Sequence, residues 1–243
     1  MKELTSKLEQ LVKNTNGDQA TIKNILQEKT LYPFSTESKL LAYFLSIGEL
    51  NFSDYTNINN EYNSRNKYLD LFDMAPRTFG QTWGEQHIHS LIPAFTKATK
   101  ESLSSLLPNF DGEFDLWYKG IRIEVKACRA NNKKTSNSLA SRAYLHSEAA
   151  LANFKYHFQQ LKPSCCDIFI FIGACRDKLL YWILTSDELK QTGKLGPQHR
   201  NEQTGKNKNV FEGQVFMTED ELKPFAVSEK DILETICKKM NIV

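Results

Sequence analysis

The sequence predicts a mixed α/β fold, a central sheet flanked by helices, preceded by a helical N-terminal region. Three observations carry that reading. Apolar residues recur at helical spacing through roughly the first 75 positions. Two short segments, 113–118 and 121–128, alternate as strands around a Lys119-Gly120 turn. The run Ile168-Phe169-Ile170-Phe171-Ile172 is continuously apolar, as in a strand covered on both faces. The order helices, hairpin, long helix, buried strands implies a mixed sheet with helices packed on it. It also suggests a boundary, with 1–75 a helical region and 76–243 the main domain.

The individual elements follow from local pattern. Leu4, Leu8, Leu11 and Val12 fall at helical spacing until Asn16-Gly17. Ile22, Ile25 and Leu26 mark a second helix. Leu40, Leu41, Phe44 and Leu45 mark a third, with Ser35 or Thr36 as its cap. The polar, Asn-rich stretch 51–66 reads as a loop. Residues 82–98 carry Trp83, Ile88, Leu91, Ile92 and Phe95, the pattern of a helix bent at Pro93. A long helix is expected over 139–161, with Leu151, Phe154, Phe158 and Leu161 on one stripe. Strands follow at 168–172, 179–184 and 214–217. The polar segment 190–209 reads as a loop, and a terminal helix starts at Ser228.

Composition narrows the function. The chain has 243 residues and a net charge of +2, with 40% hydrophobic and 25% charged residues. These are the proportions of a folded globular protein. The five cysteines, Cys128, Cys165, Cys166, Cys175 and Cys237, show no C-x-x-C spacing and read as reduced thiols, in keeping with a cytoplasmic location. Neither a signal peptide nor a membrane span is expected from the hydropathy pattern. Without an H-x-x-x-H, Cys₄ or Cys₂His₂ pattern zinc is not indicated, and without a G-x-x-x-x-G-K-[ST] run neither is ATP-driven chemistry.

The chemistry-bearing segment is FDGEFDLWYKGIRIEVKAC, residues 110–128. In its second strand Ile121, Ile123 and Val125 share one face and Arg122, Glu124 and Lys126 the other. A two-residue turn at Lys119-Gly120 pairs residue 118 with 121. Continued, that register sets Asp115 directly opposite Glu124. Opposed like charges destabilise a hairpin, so the arrangement calls for a compensating cation. Mg²⁺, which prefers carboxylate oxygens, would serve, and Lys126 would stand beside it to steady or deprotonate an attacking water. A solvated hairpin face of mixed charge is the plainer alternative.

Asp115, eight residues, then Glu124-Val125-Lys126 resembles the PD-(D/E)xK nuclease superfamily, above all type II restriction endonucleases. The family proline is replaced, since Phe114 precedes Asp115. The resemblance covers roughly 78–190 and implies a restriction-endonuclease-like fold. It implies Mg²⁺-dependent hydrolysis of phosphodiester bonds in double-stranded DNA at a specific short sequence, with Asp115, Glu124 and the Val125 carbonyl on the metal and Lys126 positioning water. Family members place a glutamate on a helix before the hairpin, and Glu85 answers to it. Glu113 is a second candidate ligand. A homodimer is implied for cutting both strands of a palindrome. A repair or structure-specific nuclease on the same core, or a catalytically degenerate DNA-binding subunit, are the alternatives. His87 and His89, two apart on a helix, point to different faces and read as structural.

Positive charge clusters at Lys119, Arg122, Lys126, Arg129, Lys133 and Lys134, and again at Lys194, His199, Arg200, Lys206 and Lys208. Arg129, Lys133, Lys134, His199 and Arg200 from these clusters, with the neighbouring Asn137, Arg142, Gln198 and Asn201, are the expected DNA contacts. Lys and Arg suit phosphates and guanine edges, and Asn and Gln suit adenine edges.

Overall fold

The structure is a computed structural model that describes residues 10–27, 36–133, 138–198 and 211–242. The chain divides into two compact units, Met1–Asp70 and Leu71–Val243.

The first unit holds helices Gln19–Gln27, Thr36–Ser46 and Phe52–Arg65 around Ile22, Leu40, Leu41, Phe44 and Leu50. The Asp18 carboxylate caps the first helix, accepting the Thr21 N–H at 2.9 Å. The third helix corrects the expectation of a loop over 51–66. Asn51 caps it, accepting the Asp54 N–H at 2.9 Å. Tyr55 and Ile58, one turn apart, pack on the small core, while the asparagines face outward. Asn-rich composition hid a short apolar stripe.

Among its described residues the second unit holds nine strands: β1 (Thr96–Lys97), β2 (Leu116–Tyr118), β3 (Ile121–Arg129), β4 (Lys155–Leu161), β5 (Ile168–Ala174), β6 (Leu179–Thr185), β7 (Gly196–Pro197), β8 (Gly213–Thr218) and β9 (Ala226–Val227). Six form one sheet in the order β1-β2-β3-β5-β6-β9, and three form a second in the order β4-β8-β7. β3 and β5 run parallel and every other neighbouring pair is antiparallel, so the six-stranded sheet is mixed, as expected for this α/β class. Every residue of β5 is buried, as its continuous apolar run requires.

Residues 139–161 are not one long helix. A 3₁₀ turn at Ala140–Arg142 and a six-residue helix, His146–Leu151, are followed by β4. Asn153 stops the helix at φ 48°, a left-handed conformation asparagine tolerates. Beyond it Tyr156 and Phe158 alternate with His157 and Gln159, the period of a strand. Leu151, expected on the apolar stripe, is exposed. The Phe158 ring instead stacks on Phe171 of β5 at 4.1 Å, fixing the small sheet against the large one.

The helix expected over 82–98 is shorter. A π-helical turn, Phe79–Trp83, leads into Gly84–Leu91, and the chain leaves helical geometry at Ile92 (φ −129°, ψ 81°). Proline disfavours a helical residue before it, so Pro93 ends this helix instead of bending it.

Candidate active site

The site grows from the Lys119-Gly120 turn. Lys119 (φ 45°) and Gly120 (φ 92°) both take positive φ, the two-residue turn whose twist matches a hairpin. The register is the expected one, Tyr118 with Ile121, Trp117 with Arg122 and Leu116 with Ile123. It does not continue to Asp115. There the strand departs from the ladder: the Asp115 N–H donates to the Ile123 carbonyl at 3.0 Å and its carbonyl accepts from Ala98 at 2.9 Å. Its carboxylate accepts the Val125 N–H at 2.8 Å. Asp115 therefore reaches across its strand end to β3 as a side-chain acceptor, and is not a regular cross-strand partner of Glu124.

Glu124 and Lys126 share one face of β3, as alternation requires, and form an ion pair with each other. Glu124 is only 7% exposed. Its register partner on β5 is Phe169, and that of Lys126 is Phe171, so both charges stand beside aromatic rings. Burial pushes the Glu124 carboxyl up to about 7, with Asp115 adding to the rise and Lys126 opposing it. Burial disfavours the Lys126 ammonium, yet Glu124, Asp115 and Glu85 together raise its pKa above the ordinary lysine value.

Glu85 arrives from the Gly84–Leu91 helix. Gly84 lies on Val125, Ala127 and Ile172, where an added Cβ would stand 3.4 Å from a Val125 methyl, so the helix approaches β3 closely. Glu85 shares a hydrogen bond with Asp115. Its carboxyl is pushed up to about 7 by burial first, then by the Asp115 charge, the hydrogen bond and Glu124, with Lys126 opposing. Asp115, Glu124, Glu85 and Lys126 thus interact as one cluster of three acids and one ammonium. Among the described residues, no three His, Cys, Asp or Glu side chains are arranged as a ready metal cage.

Other expected site residues lie elsewhere. Glu113 is not on a strand, and its carboxylate accepts the Asp111 N–H at 2.8 Å. Arg129 donates to the carbonyls of Leu71 and Met74, each at 2.9 Å, and its guanidinium lies 4.5 Å from the Phe79 ring centre. Those contacts anchor the segment before the site and occupy a side chain expected on DNA. Arg142 is half-buried, and its carbonyl accepts from Asn132. The Gln198 side chain accepts the Gln160 N–H at 2.7 Å, bracing an irregularity in β4. Arg122 holds Asp167 and Lys194 holds Glu221, each pair at 2.7 Å. Lys119 and Lys133 are exposed. Lys134, Asn137, His199, Arg200 and Asn201, with Lys206 and Lys208, lie outside the described residues.

The two helix histidines, expected to be structural, sit in different surroundings. His87 stacks on Trp83 at 4.9 Å and bonds the Tyr181 hydroxyl at 2.7 Å. Burial lowers its pKa. His89 buries Nδ1. All five cysteines are free thiols. No helix of the described residues is long and apolar enough to cross a membrane. The sequence reading missed the outward face of β4 and β8, because it took β4 for helix. The alternation in KYHFQQL was the available signal.

Comparison of the chain with protein-family models, with curated proteins and with solved structures finds no match.

Proposed function

We propose that the protein is a metal-dependent DNA nuclease of the PD-(D/E)xK kind, in which Asp115, Glu124 and Lys126 form the reactive centre and Glu85 supports it. The observation that carries this reading is the convergence of three acids from three separate elements on one lysine. Glu85 and Glu124 are both pushed up to about 7. Lys126, with Lys162 also acting on Glu124, leaves Glu85 and Glu124 raised, so the cluster suits an added cation.

The donors fit Mg²⁺. Carboxylate oxygens are its preferred ligands, and it is commonly held by one or two carboxylates with water and substrate phosphate completing the shell. In a strand the N–H and C=O of one residue face the same neighbour. The Val125 N–H faces Asp115, so its carbonyl does too. Asp115, Glu124 and the Val125 carbonyl would hold the ion, which supplies Lewis acidity and a more acidic bound water. Lys126 orients that water and offsets charge gathering on the phosphate. Glu85 shares a proton or a hydrogen bond with Asp115 and so sets the carboxylate's direction.

Double-stranded DNA is the proposed substrate, and site-specific cutting by a homodimer, as in type II restriction endonucleases, is the form of the activity. The test is digestion of a plasmid of known sequence with Mg²⁺ or with EDTA. Discrete fragments with Mg²⁺ alone support it. Nicking or random cutting points to a repair or structure-specific nuclease. Intact DNA under all conditions overturns the reading.

A further inference from the structure

The small sheet carries a feature that the cluster of acids does not use. Along β4 the outward residues are Lys155, His157 and Gln159, and their register partners on β8 are Thr218, Phe216 and Gln214. The His157 and Phe216 rings lie face to face with centres 3.8 Å apart and planes 14° from parallel. Phe216 is 45% exposed, a large apolar side chain left facing solvent on a regular strand. One ring face lies against His157.

The polar groups around this pair are held in place. The Gln214 amide donates to the Pro197 carbonyl at 3.2 Å, and its oxygen meets His157 Nε2 at 2.9 Å. A carbonyl can only accept, which fixes the amide orientation, so His157 must donate from Nε2. Burial holds the imidazole below the ordinary histidine pKa, so it is neutral and its Nδ1 remains an acceptor. Beside Gln214 stands Gly196, which places no side chain over the row. The outward face of β4 carries Lys155, and the row on β8 runs from Thr218 through Phe216 and Gln214 toward Glu212, which stands at its far end. Lys133 is close enough to act electrostatically on both His157 and Cys128.

This face connects directly to the proposed reactive centre. The His157 N–H donates to Cys128 Sγ at 3.3 Å. Cys128 is two positions beyond Lys126 on β3, about 7 Å along the strand.

We propose that Phe216, backed by His157, is a stacking platform for an unpaired nucleobase of the DNA strand, with Lys133 and Lys155 flanking it as phosphate contacts. Bases of every kind present a π-face, and stacking on an exposed aromatic ring is the sequence-tolerant way proteins hold unpaired strands. The flanking cations Lys133 and Lys155 match a polyanion. The proposal rests on the nuclease reading for the strand's placement, but its test needs no cleavage.

The test is fluorescence anisotropy in EDTA with labelled oligothymidylate, intact or carrying a run of abasic sites. Phe216→Ala should bind the intact strand roughly ten-fold or more weakly, the usual scale for one stacked base. It should bind the abasic strand as the wild type does. Phe216→Trp should keep the affinity for the intact strand and show its indole emission quenched on binding. Equal losses on both strands, or no loss, overturn the platform. So does a wild-type dimer that Phe216→Ala converts to monomer in sedimentation, since the face would then belong to a second copy. Plasmid cleavage measured in parallel separates the two ideas: cutting without base-dependent binding overturns the platform alone, and base-dependent binding without cutting overturns the nuclease reading alone.

Discussion

The Asp115 carboxylate accepts the Val125 N–H at 2.8 Å, taking the place of a backbone acceptor where β2 has ended. One side chain thereby closes the strand end and joins a cluster with Glu85, Glu124 and Lys126. Asp115→Asn keeps an oxygen for the Val125 N–H and adds a donor toward Glu85, while removing one negative charge. In EDTA it should melt above the wild type, because one like charge is removed from beside Glu85 and Glu124. Asp115→Ala leaves the Val125 N–H without its acceptor and should melt lower, by about 1–3 kcal/mol. Both should fail to cleave DNA, and Mg²⁺ should stabilise the wild type more than either variant. Melting curves in EDTA and Mg²⁺ measure all of this. Asn and Ala variants that melt alike would refute the dual role.

Removing Lys126 leaves Glu124 buried among aromatic rings without its counter-charge. Lys126→Met should abolish cleavage, keep most DNA affinity and lower stability by roughly 3–5 kcal/mol, as for a broken buried pair. Glu124→Gln with Lys126→Met should recover most of that loss, because no unpaired charge remains. Chemical denaturation of the single and double variants decides; equal instability of both would show that the charge is not the cause.

The metal-free protein should lose stability as pH rises. Glu85 and Glu124 have folded-state pKa values raised to about 7 from an ordinary 4.5. A raised carboxyl favours folding while protonated, so its contribution is complete below about 4.5 and is lost as pH climbs through about 7. Melting in EDTA at pH 5 and pH 8 should show the fall, and Glu85→Gln with Glu124→Gln should flatten it. A wild-type profile as flat as that of the double variant would contradict the burial of these acids.

The terminal helix Ile232–Lys239 is tied to the Ser186–Gln191 helix that follows β6 by Lys239, whose ammonium lies 2.6 Å from a Glu188 oxygen. Although burial works against its charge, hydrogen bonds from Lys239 and the Thr185 backbone hold the Glu188 pKa below its ordinary value. This contribution is therefore present above pH 4.5 and lost as pH falls below it. Lys239→Met should cost about 1 kcal/mol at neutral pH, a typical value for a partly exposed pair. The difference from wild type should shrink in acid, read from paired denaturation curves.

Gly173 on β5 sits where the two sheets meet. An added Cβ there would fall 2.7 Å from both Trp182 and Tyr156. Gly173→Ala should cost about 1–3 kcal/mol by overpacking. A near-UV circular dichroism change at Trp182 should accompany the loss, and unchanged stability would mean that the sheets do not pack closely at this point.

Local pattern settled the hairpin and the buried strand. Period-two alternation put Glu124 and Lys126 on one face of β3, and the two-residue turn set the register as far as Leu116. These features depend on neighbours a few residues apart, which is why they are legible in the sequence. The α/β class followed from the same patterns, since one face or stripe of each element had to find cover. What lay beyond them needed tertiary contacts. Residues 155–161 offer apolar spacing that suits a helical stripe almost as well as a strand, and only the cover of Phe171 and Trp182 selected β4. The Phe52–Arg65 helix gained its apolar partners from Leu40, Leu41 and Phe44, not from its own composition. Asp115 left the ladder because its side chain found the Val125 N–H, and Glu85 joined it because Gly84 let a helix close on β3. Sequence alone named these acids. Their burial, the hydrogen bond between Glu85 and Asp115 and their pairing with Lys126 arose only when three separate segments were packed into one low-dielectric place.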